Sequence, residues 1–150
     1  MQTFYGGNQA SGRQANNYLA QRINGATPEE LAAMLLEGAQ RFLTQAVGAI
    51  RKSNLPERAR LVNRVSLIMD ELVSMLNVEA GGDTVDKLHG IYIWWIKEIF
   101  DASRCMETER LERITRQMAA MRSGWEEVSL TRQSRQAQSA AAFTVQGLVG

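Results

Sequence analysis

Between Thr27 and Val128 the apolar residues recur at helical spacing in four successive runs, and nowhere do they alternate as a strand requires. The first run, TPEELAAMLLEGAQRF, opens with its own start signal. Thr27 suits an N-cap, Pro28 the first helical position, and Glu30 is placed to close a capping box. Leu31, Leu35, Gly38, Ala39, Phe42 and Ala46 then form one core-facing stripe. Leu36, Leu43 and Val47 make a second apolar line beside it, wider than one packing seam needs. The run is expected to end near Arg51, a cation at the negative end of the helix dipole, with Ser53-Asn54 as the break.

The second run begins at Leu55-Pro56, so both prolines of the chain stand at helix starts. Its core stripe is Leu61, Val65, Ile68, Leu72 and Leu76, and Val62, Met69 and Val73 widen it to one side. NVEAGGD (77–83) reads as a turn, with Gly81-Gly82 suited to stopping a helix in the left-handed conformation and Asp83 to capping the next. The third run, about Thr84 to Arg104, carries Val85, Leu88, Tyr92, Trp95, Ile96 and Ile99 on one stripe, flanked by Ile91. Trp94 projects to the opposite side, among Lys87, Lys97, Glu98 and Asp101. The fourth, about Glu109 to Val128, spaces Leu111, Ile114, Met118, Met121, Trp125 and Val128 as an antiparallel bundle requires.

These runs predict an all-α fold: an antiparallel up-down four-helix bundle with a short N-terminal helical segment and a mobile C-terminal tail. Helix starts are expected near Thr27, Leu55, Asp83 and Thr108. Residues 1–17 read as a mobile segment, 18–128 as the bundle and 129–150 as a flexible tail, because TRQSRQAQS has no apolar face to bury. At the far end of that tail Phe143, Val145, Leu148 and Val149 gather among small residues, a segment able to lie in an apolar groove.

Composition removes several functions. A net charge of +1 with no Lys/Arg cluster argues against a nucleic-acid binder. No apolar run approaches the roughly 18 residues of a membrane span, so no membrane insertion is expected. The single cysteine, Cys105, cannot form an internal disulfide, and the N-terminus lacks the pattern of a signal peptide; a cytoplasmic location fits. One histidine, His89, cannot supply the three or four ligands of a metal site, and it leaves Cys105 without the base and orienting partner of a nucleophile. Gly81-Gly82 lacks the further residues of a phosphate loop. No enzyme and no cofactor are therefore expected. What remains is surplus apolar surface: Trp94 on a charged face, and the second stripes of the first two helices. A broad core or homodimer contacts would absorb it, and so would grooves for apolar segments of another chain.

Two stretches carry a resemblance. TPEELAAMLLEGAQRFL (27–43) is similar to the opening S-P-x-x-L-I-x-M-L-Y-D-G-A-x-x-F-L of the flagellin-specific secretion chaperones of bacterial flagellar export, the FliS family. ELVSMLNVEAGG (71–82) is similar to that family's E-L-x-x-S-L-D-x-x-x-G-G. Leu88, Tyr92 and Trp125 keep its later spacings. The resemblance implies a non-enzymatic chaperone that holds the disordered C-terminal region of flagellin, prevents premature polymerisation and passes the client to a membrane protein of the export gate. It implies a helical bundle around which the client wraps. With the surplus apolar residues, this makes Leu36, Leu43, Val47, Val62, Met69, Val73, Ile91 and Trp94 the expected client groove. Tyr18 and Ile23 stand where the family's N-terminal segment covers that groove and meets the gate. A monomer or weak homodimer is expected. The competing reading is a self-associating helical adaptor that uses the same faces.

Overall fold

The computed structural model describes residue 17 and residues 20–149. A helical segment over residues 20–24 leads into four helices: α1 (Pro28–Arg51), α2 (Leu55–Ser74), α3 (Gly82–Arg104) and α4 (Thr108–Val149). Each starts within one residue of the expected position. Thr27 Oγ1 accepts from the Glu30 amide at 3.1 Å, and Asn54 Oδ1 accepts from the Glu57 amide at 3.2 Å, so side chains cap the first two helices. Only half of the expected capping box forms. The Glu30 carboxylate turns away from the cap and binds α4 instead.

Two of the three connections are the same tight turn. Ser53 (φ 57°) and Met106 (φ 56°) adopt the left-handed conformation just past the ends of α1 and α3. The Asn54 amide donates to Ala49 O at 2.8 Å and the Glu107 amide to Ala102 O at 2.9 Å, which closes each helix in a Schellman motif and reverses the chain. The α2–α3 connection works differently. α2 ends in a right-handed C-cap at Met75, and the left-handed glycine is Gly82 (φ 70°), the first residue of α3. A Cβ on Gly81 would lie 2.3 Å from Val85 Cγ2 and 2.6 Å from Asn77 O, so no side chain fits there. The glycine pair serves the entry to α3 rather than the exit from α2. Asp83 is accordingly not the cap; it sits in the first turn and pairs with Lys87 at 3.1 Å.

α1 lies against both α2 and α4, and α3 bridges the same two helices from the far side. Cross-bonds show that α1 and α4 run in opposite directions: Glu29 meets Arg132, Gln40 donates to Thr115 O, and Arg51 pairs with Glu112. This arrangement corrects the expected core. Leu36, Leu43, Ala39 and Ala46 are fully buried on α1, with Val47 beside them, while Leu31, Leu35 and Phe42 are only partly buried. On α2, Val62 and Met69 are as buried as Leu61, Val65 and Leu72, and Val73 is partly buried. The second stripes are thus core. A helix flanked by two neighbours needs an apolar arc facing each of them, and that demand consumes the surplus.

α4 overruns its expected end at Val128 by 21 residues. No glycine or proline occurs between Gly124 and Gly147, and the stretch is rich in Ala, Gln and Arg, all good helix formers. From Leu130 onward its described side chains are exposed. Local propensity extends the helix where packing has stopped.

Candidate functional site

α3 is anchored to α4 most firmly near its C-terminal end. The Arg110 guanidinium binds Glu98, Asp101 (2.8 Å) and Glu107 (2.8 Å) together, and Arg104 adds a bond to Asp101 at 2.7 Å. Arg110 and Arg104 hold the Asp101 carboxyl below its usual range, and the three carboxylates raise Arg110 further above its own. One turn further toward the N-terminus of α3, Trp95 Nε1 donates to Gln117 Oε1 at 2.8 Å. The Trp95 ring is buried, with Tyr92 at 5.9 Å between centroids. Burial pushes the Tyr92 phenol above its ordinary value.

Beyond that point the two helices leave an open cleft of about 710 Å³, lined by Lys87, Gly90, Ile91, Trp94, Trp95, Gln117, Ala120 and Met121. Its form follows from the residues. Gly90 and Ala120 are too small to fill the space between the helices, and a Cβ added at Gly90 would meet nothing within 4 Å. Trp95 and Met121 supply an apolar floor. Ile91 and Trp94 stand on the rim, 40% and 47% exposed. A tryptophan half in water over an apolar floor is a surface suited to an apolar helix or an extended apolar segment.

The cleft unites only two of the eight expected groove residues, Ile91 and Trp94. Leu36, Leu43, Val47, Val62 and Met69 are closed inside the bundle, and Val73 lies against its core. Trp95, Gly90, Ala120 and Met121 were missed. Trp95 and Met121 read correctly as core stripe, but the sequence held no sign that small residues facing them would leave that stripe open on one side. Ile23 is exposed on the segment that precedes α1; Tyr18 lies outside the described residues. His89 is partly buried, Cys105 is exposed at the end of α3, and no cluster of potential metal ligands occurs among the described residues. No described helix is long and apolar enough to cross a membrane.

An all-α bundle that leaves a markedly apolar cleft open between α3 and α4 offers a surface on which an apolar segment could lie. Comparison with known proteins makes the class specific. A family model described as flagellar protein FliS matches residues 11–132, and the chain belongs to that family. It is similar to the flagellar secretion chaperone FliSB of Pseudomonas aeruginosa, 27% identical over 108 residues that span 72% of this chain and 86% of the relative. It is also similar to the flagellar secretion chaperone FliS of Campylobacter jejuni, 29% identical over 113 residues (75% and 88%). A third relative is the protein of that name from Vibrio cholerae, 24% identical over 107 residues (71% and 79%). These relatives are named as chaperones, not enzymes.

Proposed function

We propose that this protein is a cytoplasmic export chaperone that holds the C-terminal region of flagellin, keeps it from polymerising and delivers it to the export gate. Family membership supports the chaperone class. The observation that carries client binding is the cleft: Trp94 and Ile91 exposed over a Trp95–Met121 floor. A helix laid there covers the Trp94 indole, and buried tryptophans are typical anchors of an interface. A disordered client sacrifices about 2–5 kcal/mol to ordering, which keeps binding reversible, as a carrier requires. Contact with the gate is assigned to the N-terminal segment bearing Tyr18 and Ile23, of which Ile23 is exposed.

The test is calorimetry with purified flagellin, full-length and lacking its C-terminal region. Binding of the first and not the second is expected, and Trp94→Ala should weaken it by about 2 kcal/mol, roughly 30-fold. Equal binding of the truncated flagellin would refute the assignment of the client segment. Undiminished binding by folded Trp94→Ala would refute the cleft.

A further inference from the structure

Where α1 begins and α2 ends, the bundle forms a second, smaller cavity of about 120 Å³. Ala32, Leu72, Met75 and Leu76 give it apolar walls, and Glu29, Tyr92 and Trp125 bring polar groups to it. Pro28 is exposed in its lining, with Met75 and Leu76 partly buried, so the cavity has an open rim. Tyr92 and Trp125 stand one turn from Trp95 and Met121 on the same helices. The cavity is therefore a neighbour of the α3–α4 cleft, with the Tyr92–Trp95 ring pair between them.

Its polar groups do not satisfy one another. Trp125 Nε1 is shielded from solvent and has no hydrogen-bond acceptor. Tyr92 is 1% exposed; burial pushes its phenol up, and the Trp125 indole facing it offsets part of that push. An indole that turned to donate to the phenol would leave the phenol's own proton without an acceptor. The carboxylate in the lining, Glu29, bonds Arg132 through both oxygens, at 2.9 and 2.7 Å. Either way one buried proton is left over. A buried donor without an acceptor is costly, so the site suits a group that brings one.

Size and charge narrow the occupant. A core cavity of ~150 Å³ takes up benzene, so this one admits a single aliphatic side chain and not a helix about 10 Å across. Because Arg132 already neutralises Glu29, the site calls for neither a cation nor an anion. The acceptor must arrive with the side chain, and the backbone carbonyl beside it supplies one. Inside a helix that carbonyl is already bonded, whereas in an extended segment it is free. We infer that this cavity is a socket for one neutral aliphatic side chain of an extended client segment, whose backbone carbonyl accepts the proton that Tyr92 and Trp125 leave over. The inference rests on the client reading above and adds to it a second contact, of different chemistry from the cleft.

Nuclear magnetic resonance of the three indole N–H groups, with and without purified flagellin, tests it. The Trp125 resonance should move downfield and its exchange with water should slow, while Trp94 reports on the cleft separately. Ala32→Leu fills the socket from within. It should keep or raise the melting temperature, weaken flagellin binding at least 10-fold and abolish the Trp125 shift, but leave that of Trp94. Tyr92→Phe removes only the hydroxyl and should weaken binding about 3- to 10-fold, as loss of one hydrogen bond does. A Trp94 shift without one at Trp125 would overturn the socket and leave the cleft reading standing. No shift at either would overturn both. Full affinity in folded Ala32→Leu or in Tyr92→Phe would overturn the socket as well. A Trp125 proton as protected in the free protein as in the complex would show the socket filled by this chain itself, and would also overturn it.

Discussion

Arg132 donates to both carboxylate oxygens of Glu29, at 2.9 and 2.7 Å, across 103 residues of sequence. Beside this pair, Ser129 and Gln133 donate to one oxygen of Glu30 at 3.2 and 2.8 Å. The first turn of α1 therefore grips α4 just past the expected end of that helix. Two acids that read as favourable dipole partners at a helix N-terminus serve as a clamp between the first and last helices. The clamp fixes the direction in which α4 leaves the bundle.

Because Glu29 is buried, removing Arg132 strands a carboxylate, whereas removing both partners does not. Arg132→Ala is expected to lower stability by about 1–3 kcal/mol, half-exposed Arg132 keeping the figure below that of a fully buried pair. The double variant Glu29→Gln, Arg132→Ala should lose less than the two single losses added together. Urea denaturation of the four proteins measures this; strictly additive losses would show that the pair is not coupled.

Adjacent tryptophans on α3 should behave oppositely. Trp94→Ala is expected to change thermal stability little, because the indole stands half in solvent. Trp95→Ala should cost about 3–5 kcal/mol and free Gln117 from its bond. Denaturation midpoints report the difference, and fluorescence quenching should reach Trp94 first. Similar losses for both would contradict the exposures seen.

Leu43→Glu and Val62→Glu should prevent folding rather than selectively weaken client binding. Both side chains are buried among the helices, at 0% and 5% exposure, so either substitution buries an unpaired charge. A loss of more than about 4 kcal/mol is expected, with circular dichroism as the readout. A folded, stable Leu43→Glu protein would mean that this face is open after all.

Acid should loosen the α3–α4 junction through Asp101. Its folded carboxyl is held below the ordinary value by Arg110 first and Arg104 second, so it binds protons less readily folded than unfolded. The stability it contributes is present above pH ~4, the unfolded value, and is lost as pH falls through the lower folded value. In Arg110→Ala the pH dependence of stability from pH 6 to 2 should be shallower than in the wild type. Parallel curves would refute the linkage.

Periodicity and end signals were sufficient for the all-α class, for four helix starts to within a residue, and for the stripe on α4 through Met118. These depend on local rules: caps, prolines at first turns, and a 3.6-residue repeat that each helix must satisfy whatever its neighbours. The centre of a buried arc is not local. α1 shows adjacent apolar lines, and only the placement of α2 and α4 on its two sides decides that Leu36 and Leu43 lie deeper than Leu35 and Phe42. The same holds for the cleft, which exists because Gly90 and Ala120, on different helices, leave room that neither reveals alone. Glu29 and Arg132 likewise meet only once the chain has packed. Sequence by itself determined where the four helices begin, though not where the last one ends, and that a family resemblance was in view. The tertiary structure decided which apolar faces are spent on the core and which remain free, because burial is set by neighbours far away along the chain.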